Sequence, residues 1–460
     1  MSFTAQSEGK KTSSVDLEKG CTIVAPDSGA VPAKTQGHYM RNLRHQIFTL
    51  YRRLFGVIFV ANMIVLVALF SLGHHNTEHL GLVVISNLFC AILMRQEYVI
   101  NTFFTVFCAV PRSWPLRIRC LCAQVYHIGG LHSGCSVSGT LWLIIFSAQA
   151  TREVIVGGPA SPLTVAISYC ILFLLLIILV LAYPRFRQAF HNHFEASHRF
   201  LGWTATALLW VQVVSLINDY RPPSMSLGNA LVQSAPFWLA LILTLSLMIP
   251  WIRLRKVPVQ SVVLSKHAVR IYFENVTPIP GCATHISDNP LLEWHSFAAV
   301  RELGKTGHSL VVSRAGDWTA KQIEHPPTHL WVRGIPTCGV LRILPLFRRV
   351  VLVATGSGIG PCASCLFAQD VEIQLLWTSP DVRRTFGDDL VDSMLESSPG
   401  AVIHDTRAHG RPDMVKLTYG LVRDFNAEAV CVISNQKLTQ KLVYGMRSRG
   451  IPAFGPIWDS

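Results

Sequence analysis

Six apolar runs fill the first 250 residues of this chain, at 54–72, 82–107, 121–146, 163–183, 198–217 and 230–252. Each is near the length of about 20 residues that a helix needs to cross a hydrocarbon layer. Lipid offers no partner to backbone N–H and C=O groups, so such runs fold as helices, which satisfy those groups internally. Half of all residues are hydrophobic and 15% are charged, a low charged share beside the roughly 25% of soluble domains. The apolar excess stops near Lys256, and the rest reads as an ordinary soluble region of short strands and helices.

Basic residues set the expected orientation. One set of loops carries Arg41, Arg44, Arg52 and Arg53, then Arg112, Arg117 and Arg119, then Arg185 and Arg187, and finally Arg253, Arg255 and Lys256. The opposite loops, 73–81, 149–162 and 218–228, hold only Arg152 and Arg221. Both termini are therefore expected on the cytosolic side of a multi-pass integral membrane protein. Plasma membrane and endoplasmic reticulum both suit the span lengths. The net charge of +13 follows from this bias and from attraction to anionic lipid, which excludes a nucleic-acid partner. No cleaved signal peptide is expected, and residues 1–45 read as a disordered cytosolic segment.

Twelve cysteines show no disulfide-like spacing. Cys362-x-x-Cys365 is the one suggestive pair, on a helix where small residues favour close packing. Cys120 and Cys122 read as lipid- or helix-facing.

The soluble part divides in two. Residues 256–347 carry short strands at 259–265, 267–274, 293–300, 309–314 and 329–333, the pattern of a small antiparallel barrel. Residues 348–460 alternate strands at 350–354, 372–377, 401–404 and 429–433 with helices, an α/β doubly wound architecture that holds ligands beyond the carboxyl ends of its strands. Its first strand runs into Gly356-Ser357-Gly358-Ile359-Gly360-Pro361. There, backbone N–H groups and a helix N-terminus can approach a pyrophosphate. Alone, such a turn also serves as plain strand-to-helix punctuation.

Motifs in order carry a resemblance. Glu293-Trp294-His295-Ser296-Phe297, Gly316-Asp317-Trp318-Thr319, the glycine loop and Gly410-Arg411-Pro412 follow one another behind the spans. From residue 54 to the end, the chain resembles the ferric reductase and NADPH oxidase superfamily. It looks closest to the fungal membrane flavoproteins of the TmpA type, a placement supported by the ending from Gly450 to Ser460. The resemblance implies a ferric-reductase-like domain at 46–255, an FAD-binding barrel at 256–347 and an NAD(P)-binding domain of ferredoxin-reductase type at 348–460. It implies that His295, Ser296 and Phe297 hold FAD. By strand periodicity alone, His295 and Phe297 share a face and simply pack together. The family's next position carries a hydroxyl for the flavin N5, where this chain has Ala298. The family's Cys-Gly-Pro beside the nicotinamide aligns with Ser434-Asn435-Gln436, so Ser434 takes the cysteine's place. Trp458 matches a terminal aromatic that stacks on flavin in related reductases, and it equally suits domain packing. A 2′-phosphate wants a guanidinium. Arg411 is the first candidate, Arg383 and Arg384 stand behind it, and NADPH is expected over NADH.

Superfamily members carry two haems, each held by one histidine from the third span and one from the fifth. Here His132 and His198 match the cytosolic-side pair. The outer positions hold Ile145 and Phe146 on span three, and Val211 and Gln212 on span five, which cannot ligate iron well. At most one haem is therefore expected. Gly129, Gly130 and Gly134 admit either a macrocycle or a neighbouring helix. His127 is an alternative ligand, and His191 and His193 read as solvated.

These readings converge on a membrane-anchored NAD(P)H oxidoreductase. A hydride passes from the nicotinamide nucleotide to FAD and on to a small-molecule or lipophilic, quinone-like acceptor at the cytosolic side or in the inner leaflet. A catalytically degenerate reductase serving as a membrane scaffold is the alternative, favoured by Ala298 and Ser434. A transmembrane ferric reductase is the third, and it lacks the outer ligands. The spans show no internal repeat, which argues against a transporter.

Overall fold

The structure, a computed structural model, describes residues 30–301 and 306–457. Among the described residues, five helices are long and apolar enough to cross a membrane: Leu50–Ser71, Gly129–Ile155, Pro162–Leu181, His191–Tyr220 and Ala235–Ile252. A sixth span exists only if Thr77–Leu93 and Glu97–Cys108, bent by 68° at their junction, count as one.

That bend corrects the expected continuous run at 82–107. The apolar stretch contains Arg95-Gln96-Glu97. The Gln96 side chain accepts from the amides of Tyr98 and Val99 at 2.6 and 3.2 Å, capping a new helix. This helix turns onto the soluble half. Asn101 donates to the Pro336 carbonyl at 3.0 Å and accepts from the Cys338 amide at 2.9 Å, while Glu97 accepts from the Ile335 amide at 2.9 Å. Gly334, at φ +66°, makes the approach possible, because a Cβ there would run into the Glu97 carboxylate.

The next expected span, 121–146, likewise starts later, at Gly129. Helix Leu116–Cys122 and the turn Ala123–His127 pack on the soluble half, where Ala123 and Val125 join its core and Cys120 and Cys122 lie against it. Arg119 is clamped there. It bonds both carboxylate oxygens of Glu428 at 2.8 and 3.0 Å and the Leu346 carbonyl at 2.8 Å.

Helix Gly129–Ile155 is the centre of the bundle. A Cβ on Gly134 would stand 2.9 Å from Ile58 Cβ, and one on Gly130 would meet the Tyr51 carbonyl. Both glycines thus admit helix Leu50–Ser71, the close approach of small residues typical of membrane helices. One buried polar cluster joins three helices: Asn62 Oδ1 accepts from Asn87 and from the Trp142 indole, each at 2.9 Å.

Eight strands follow: β1 Arg255–Pro258, β2 Gln260–Val263, β3 Ala268–Phe273, β4 Cys282–Ser287, β5 His295–Ala298, β6 Val300–Arg301, β7 His308–Ser313 and β8 His329–Cys338. They form two antiparallel sheets, in orders β1-β8-β4-β5 and β2-β3-β7-β6. Among the described residues no ladder joins the two, so the expected barrel stands as two sheets around a core that includes Ile271, Ile286, Leu310 and Trp318.

The last region is a five-stranded sheet in the order β11-β10-β9-β12-β13, from β9 Arg349–Thr355, β10 Glu372–Ser379, β11 Val402–Asp405, β12 Ala429–Ile433 and β13 Ala453–Phe454. Every pairing is parallel. Helices cover both faces, which explains why Val350 through Ala354 form an unbroken apolar run, fully buried. This is the expected doubly wound sheet. Of the segment expected to be disordered, residues 32–42 lie along helix Gln436–Arg447. Thr35 N–H donates to the Ser448 carbonyl at 2.7 Å and Arg41 Nε donates to the Tyr444 hydroxyl at 2.8 Å. Residues 1–29 lie outside the described residues.

Candidate functional site

The carboxyl ends of β9 and β12 meet at the glycine loop. β9 ends at Thr355, residues Gly356–Gly358 form one tight turn, and helix Ile359–Ala368 begins. Gly356 sits at φ +51°, a conformation that favours glycine. A Cβ on Gly358 would strike the Ile433 carbonyl at the end of β12, so this position tolerates no side chain. Pro361 falls in the first turn of the helix, where its missing N–H removes no internal bond. The Trp377 indole donates to the Gly356 carbonyl at 3.1 Å and holds the turn from β10. Ser434 lies directly across: its hydroxyl and that of Thr355 are 2.5 Å apart. Asn435 caps the following helix through the Leu438 amide at 3.0 Å. Gly356, exposed Ser357, Gly358, Gly360, Pro361 and Ser434 are thus brought together at one sheet edge. Within the first helical turn the Ile359 amide donates back to the Gly356 and Ser357 carbonyls, and Pro361 carries no N–H.

Arg411 is exposed on the loop after β11, behind Gly410 at φ +71°. Arg383 is engaged elsewhere: Asp392 and Asp388 accept from it at 2.8 and 2.9 Å, and these bonds raise its pKa. Arg384 is exposed, 3.9 Å from Asp381. The sequence reading passed over Arg407, which donates to Asp381 at 2.5 Å from the end of β11. Its signal was position, since the doubly wound sheet places every residue just after a strand end at the ligand edge. Burial alone would raise the Asp405 carboxyl, but the amides of Arg407, Asp381 and Ala408 outweigh that and leave it lowered.

On β5, His295 and Phe297 share a face, as strand alternation requires, and both lie against Trp318, with ring centres 4.0 and 5.9 Å apart respectively. The Trp318 indole donates to Asp288 at 2.9 Å, and His295 Nε2 lies 3.1 Å from Glu293. Ser296 is exposed on the opposite face. It shares a cross-strand row with His285 of β4 and Arg333 of β8. Arg333 lies over Trp294 at 4.5 Å and over Trp251, at the end of the last apolar helix, at 5.0 Å. Burial lowers its pKa to about 10. Burial first, and Arg333 second, lower His285 to about 4, so that imidazole is neutral at pH 7. A flavin seated on Phe297 would share that face with Trp318. Two features suit its phosphates. The helix Asp317–Glu324 starts at Gly316, where a Cβ would meet nothing within 4 Å. Ser313, three residues earlier, is buried with an unpartnered hydroxyl. By alternation Ser313 shares a face of β7 with Val311, which lies 3.5 Å from a Cβ built on Gly360. It is a candidate that the motif reading missed.

β5 also borders the helical bundle. Arg199 donates to the Leu292 carbonyl at 2.5 Å, three residues before His295, and His198 is its chain neighbour. His198 faces His132 at 6.4 Å between ring centres. Metal–imidazole bonds of about 2 Å, plus roughly 1.2 Å from nitrogen to ring centre, place two imidazoles on one ion roughly 6 Å apart. His132 Nδ1 is bonded to the Ala91 carbonyl at 2.8 Å, which leaves Nε2 for a ligand. The nearby glycines Gly130 and Gly134 are covered by helix Leu50–Ser71 rather than by open space. His127 lies outside the helix that carries His132, with Nδ1 2.9 Å from the Gln124 carbonyl. Among the described residues no group of three or more His, Cys, Asp or Glu is placed to hold a metal.

Cys362 and Cys365 are buried behind the loop, and burial raises both thiols, Cys365 to about 12. Neither is a reactive thiolate. Trp458 lies outside the described residues.

Residues 340–460 match the family described as "Adenylate-forming reductase 03009, C-terminal domain". The chain is similar to adenylate-forming reductase 03009 of Coprinopsis cinerea, 59% identical over 429 residues that cover 93% of this chain and 42% of the relative. It is also similar to adenylate-forming reductase 06235 of the same organism, 57% identical over 431 residues, 94% of this chain and 42% of that one. The chain thus spans about two fifths of the length of the curated relatives it matches. Among solved structures, a ferredoxin NADP+ reductase from Neisseria gonorrhoeae with bound FAD and NADP is 13% identical and covers 44% of this chain and 98% of its own, at TM-score 0.36. The flavohem-like FAD/NAD binding domain of nitric oxide dioxygenase from Vibrio cholerae is likewise 13% identical and covers 44% and 99%, at TM-score 0.31.

Proposed function

We propose that this chain is an NAD(P)H-dependent flavin oxidoreductase embedded in a membrane, with its nucleotide site on the cytosolic side. The observation that carries the proposal is the junction of β9 and β12. A glycine turn with no room for a side chain at Gly358 opens onto a helix N-terminus, beside Ser434. The reductase names of both relatives support the same reading.

When bound, the nicotinamide nucleotide supplies a hydride and FAD accepts it. The protein's share is positioning. Amides of the Gly356–Gly360 turn would hold the pyrophosphate, Arg411 and Arg407 would face the 2′-phosphate of NADPH, and Ser434 would present a hydroxyl near the nicotinamide. Phe297 would pack against the flavin ring, His295 and the Gly316 turn would bind its phosphates, and Ala298 would offer the flavin N5 no side-chain hydroxyl. His198, chain neighbour of the Arg199 that bonds the Leu292 carbonyl, and His132 would hold one haem, which would supply one-electron transfer.

The acceptor lies at the cytosolic face or within the inner leaflet. The relatives' name, adenylate-forming reductase, adds an adenylate as one acceptor class, beside a lipophilic quinone-like molecule. Within the ferric reductase and NADPH oxidase superfamily the chain fits the TmpA-type branch, in a plasma or reticulum membrane with both termini cytosolic.

One observation favours the scaffold reading instead: Trp318 already lies against His295 and Phe297. Flavin content decides between them. The chain purified in detergent should release FAD on heating, in about one equivalent. It should also show a haem band that His198→Ala removes. A chain that yields no flavin, and takes up none when FAD is supplied, overturns the enzyme reading.

A further inference from the structure

Cys282 and Cys338 stand 56 positions apart in the chain, yet their sulfurs are 3.3 Å apart. The two residues are direct partners in the antiparallel ladder of β4 and β8, so their side chains share one face. Directly opposed strand residues hold their Cα atoms about 4.5–5.5 Å apart, inside the window of about 4.4–6.8 Å that a disulfide requires. Both thiols are free, with Cys282 buried and Cys338 half-buried. Spacing along the chain singles out Cys362-x-x-Cys365, whereas strand register brings this pair together.

The two thiols are not equivalent. The bond from Cys282 lowers the Cys338 pKa, burial opposes that shift, and the Arg342 guanidinium adds to the lowering. Cys282 moves the other way, raised first by the same bond and then by burial. Cys338 is thus both the easier to ionise and the more accessible, the arrangement of an attacking thiol beside a resolving one. A structural metal takes four ligands, and among the described residues no group of three or more His, Cys, Asp or Glu is placed to hold one.

Three regions meet at the pair. The Cys338 amide donates to Asn101 of helix Glu97–Cys108 at 2.9 Å. The Gly281 amide donates to the Ser364 hydroxyl, on the helix behind the glycine loop, at 3.3 Å. The Ala299 amide donates to the Cys282 carbonyl at 3.0 Å. Beyond Ala283 the β4–β8 register shifts, so the ladder is interrupted next to the pair. A covalent link here would fasten the end of a ladder that the bundle and the nucleotide domain both hold.

We propose that Cys282 and Cys338 form a reversible dithiol–disulfide couple, oxidised by a peroxide and reduced by a small thiol. The Cys338 thiolate attacks one oxygen of hydrogen peroxide and breaks the O–O bond, giving a sulfenic acid and a hydroxide that leaves as water with the Cys338 proton. The Cys282 sulfur then attacks the Cys338 sulfur and displaces hydroxide, which leaves as a second water with the Cys282 proton. The two thiols lose two electrons and the peroxide gains them. A small oxidant suits a pair with one buried member. On the cytosolic side expected for this half, where thiols are kept reduced, such a bond is redox-sensing rather than structural. The couple requires neither bound flavin nor nucleotide.

The test treats the full chain in lipid nanodiscs with limiting hydrogen peroxide, then alkylates it, digests it without reductant and reads the peptides by mass spectrometry. A linked Cys282–Cys338 peptide should exceed every other linked cysteine pair by about tenfold or more, and dithiothreitol should release it. Amide exchange across residues 334–340 should slow roughly tenfold in the oxidised chain and recover on reduction. Cys282→Ser should stop at a Cys338 sulfenic acid that dimedone traps, and Cys338→Ser should leave Cys282 a free thiol. A wild-type pair that stays alkylatable, a linked peptide no more abundant than other pairs, or one that dithiothreitol does not release would each overturn the proposal. The wild-type linkage decides the matter even where a serine variant does not fold. Linkage is read by mass whatever the flavin content, so its failure and that of the reductase reading are told apart.

Discussion

Glu428→Ala should free the connection between the second and third bundle helices from the nucleotide domain. In the wild type, Arg119 donates to Glu428 at 2.8 and 3.0 Å, and the Arg348 amide donates to the same carboxylate at 2.8 Å. The side chains are 5% and 20% exposed, so solvent screens the pair weakly. Hydrogen bonds to charged groups contribute about 1.5–3 kcal/mol each, net of exchange with water. Removing one partner of a buried pair leaves the other charge uncompensated, at a cost of about 3–5 kcal/mol. A chain of several regions does not unfold in one step, so the readout is local: amide hydrogen exchange across residues 97–128. Protection there should fall by a factor of roughly 100 or more, which corresponds to about 3 kcal/mol. Arg119→Met should recover much of that protection when combined with Glu428→Ala, because an apolar replacement of both partners removes the stranded charge. Unchanged protection in Glu428→Ala, or strictly additive losses in the double variant, would refute the reasoning.

The same pair sets an acid limit. The Arg119 bond lowers the Glu428 pKa in the folded chain. Its contribution is therefore fully present above the unfolded value of about 4.3 and is lost as pH falls through the lower folded value. Protection of residues 116–122 should hold from pH 8 to 5 and drop below about pH 4, by exchange measured across that range. Gly358→Ala should press its methyl into the Ile433 carbonyl. We expect about 1–3 kcal/mol of lost stability and NAD(P)H binding at least tenfold weaker, read by titration of nucleotide fluorescence. Arg411→Ala and Arg407→Ala should raise the KM for NADPH about ten- to a hundredfold with little change for NADH. Equal effects on both nucleotides would reject a 2′-phosphate role.

Much of the nucleotide region was legible because its signals are local. Val350 through Ala354 read as a strand buried on both faces, and Gly356 and Gly358 stand where the turn needs them. The alternation that puts His295 and Phe297 on one face also held, and the plain packing it implies is realised through Trp318, which sequence spacing could not place. The broken second span was hidden by averaging. Arg95, Gln96 and Glu97 are three polar residues inside a long apolar run, and the partner of Glu97 is the Ile335 amide, far along the chain. Arg119 counted toward the positive-inside pattern, yet its role is a bond to Glu428, 309 positions away. The barrel expectation rested on strand count, whereas closure depends on ladders between edge strands, which no local pattern reports.

An anaerobic titration of the purified full chain with NADPH, followed at the flavin absorption band, tests the central claim most directly. The account predicts bleaching that ends near one NADPH per flavin in the wild type and is strongly slowed in Gly358→Ala. A bound flavin that NADPH does not bleach would contradict it.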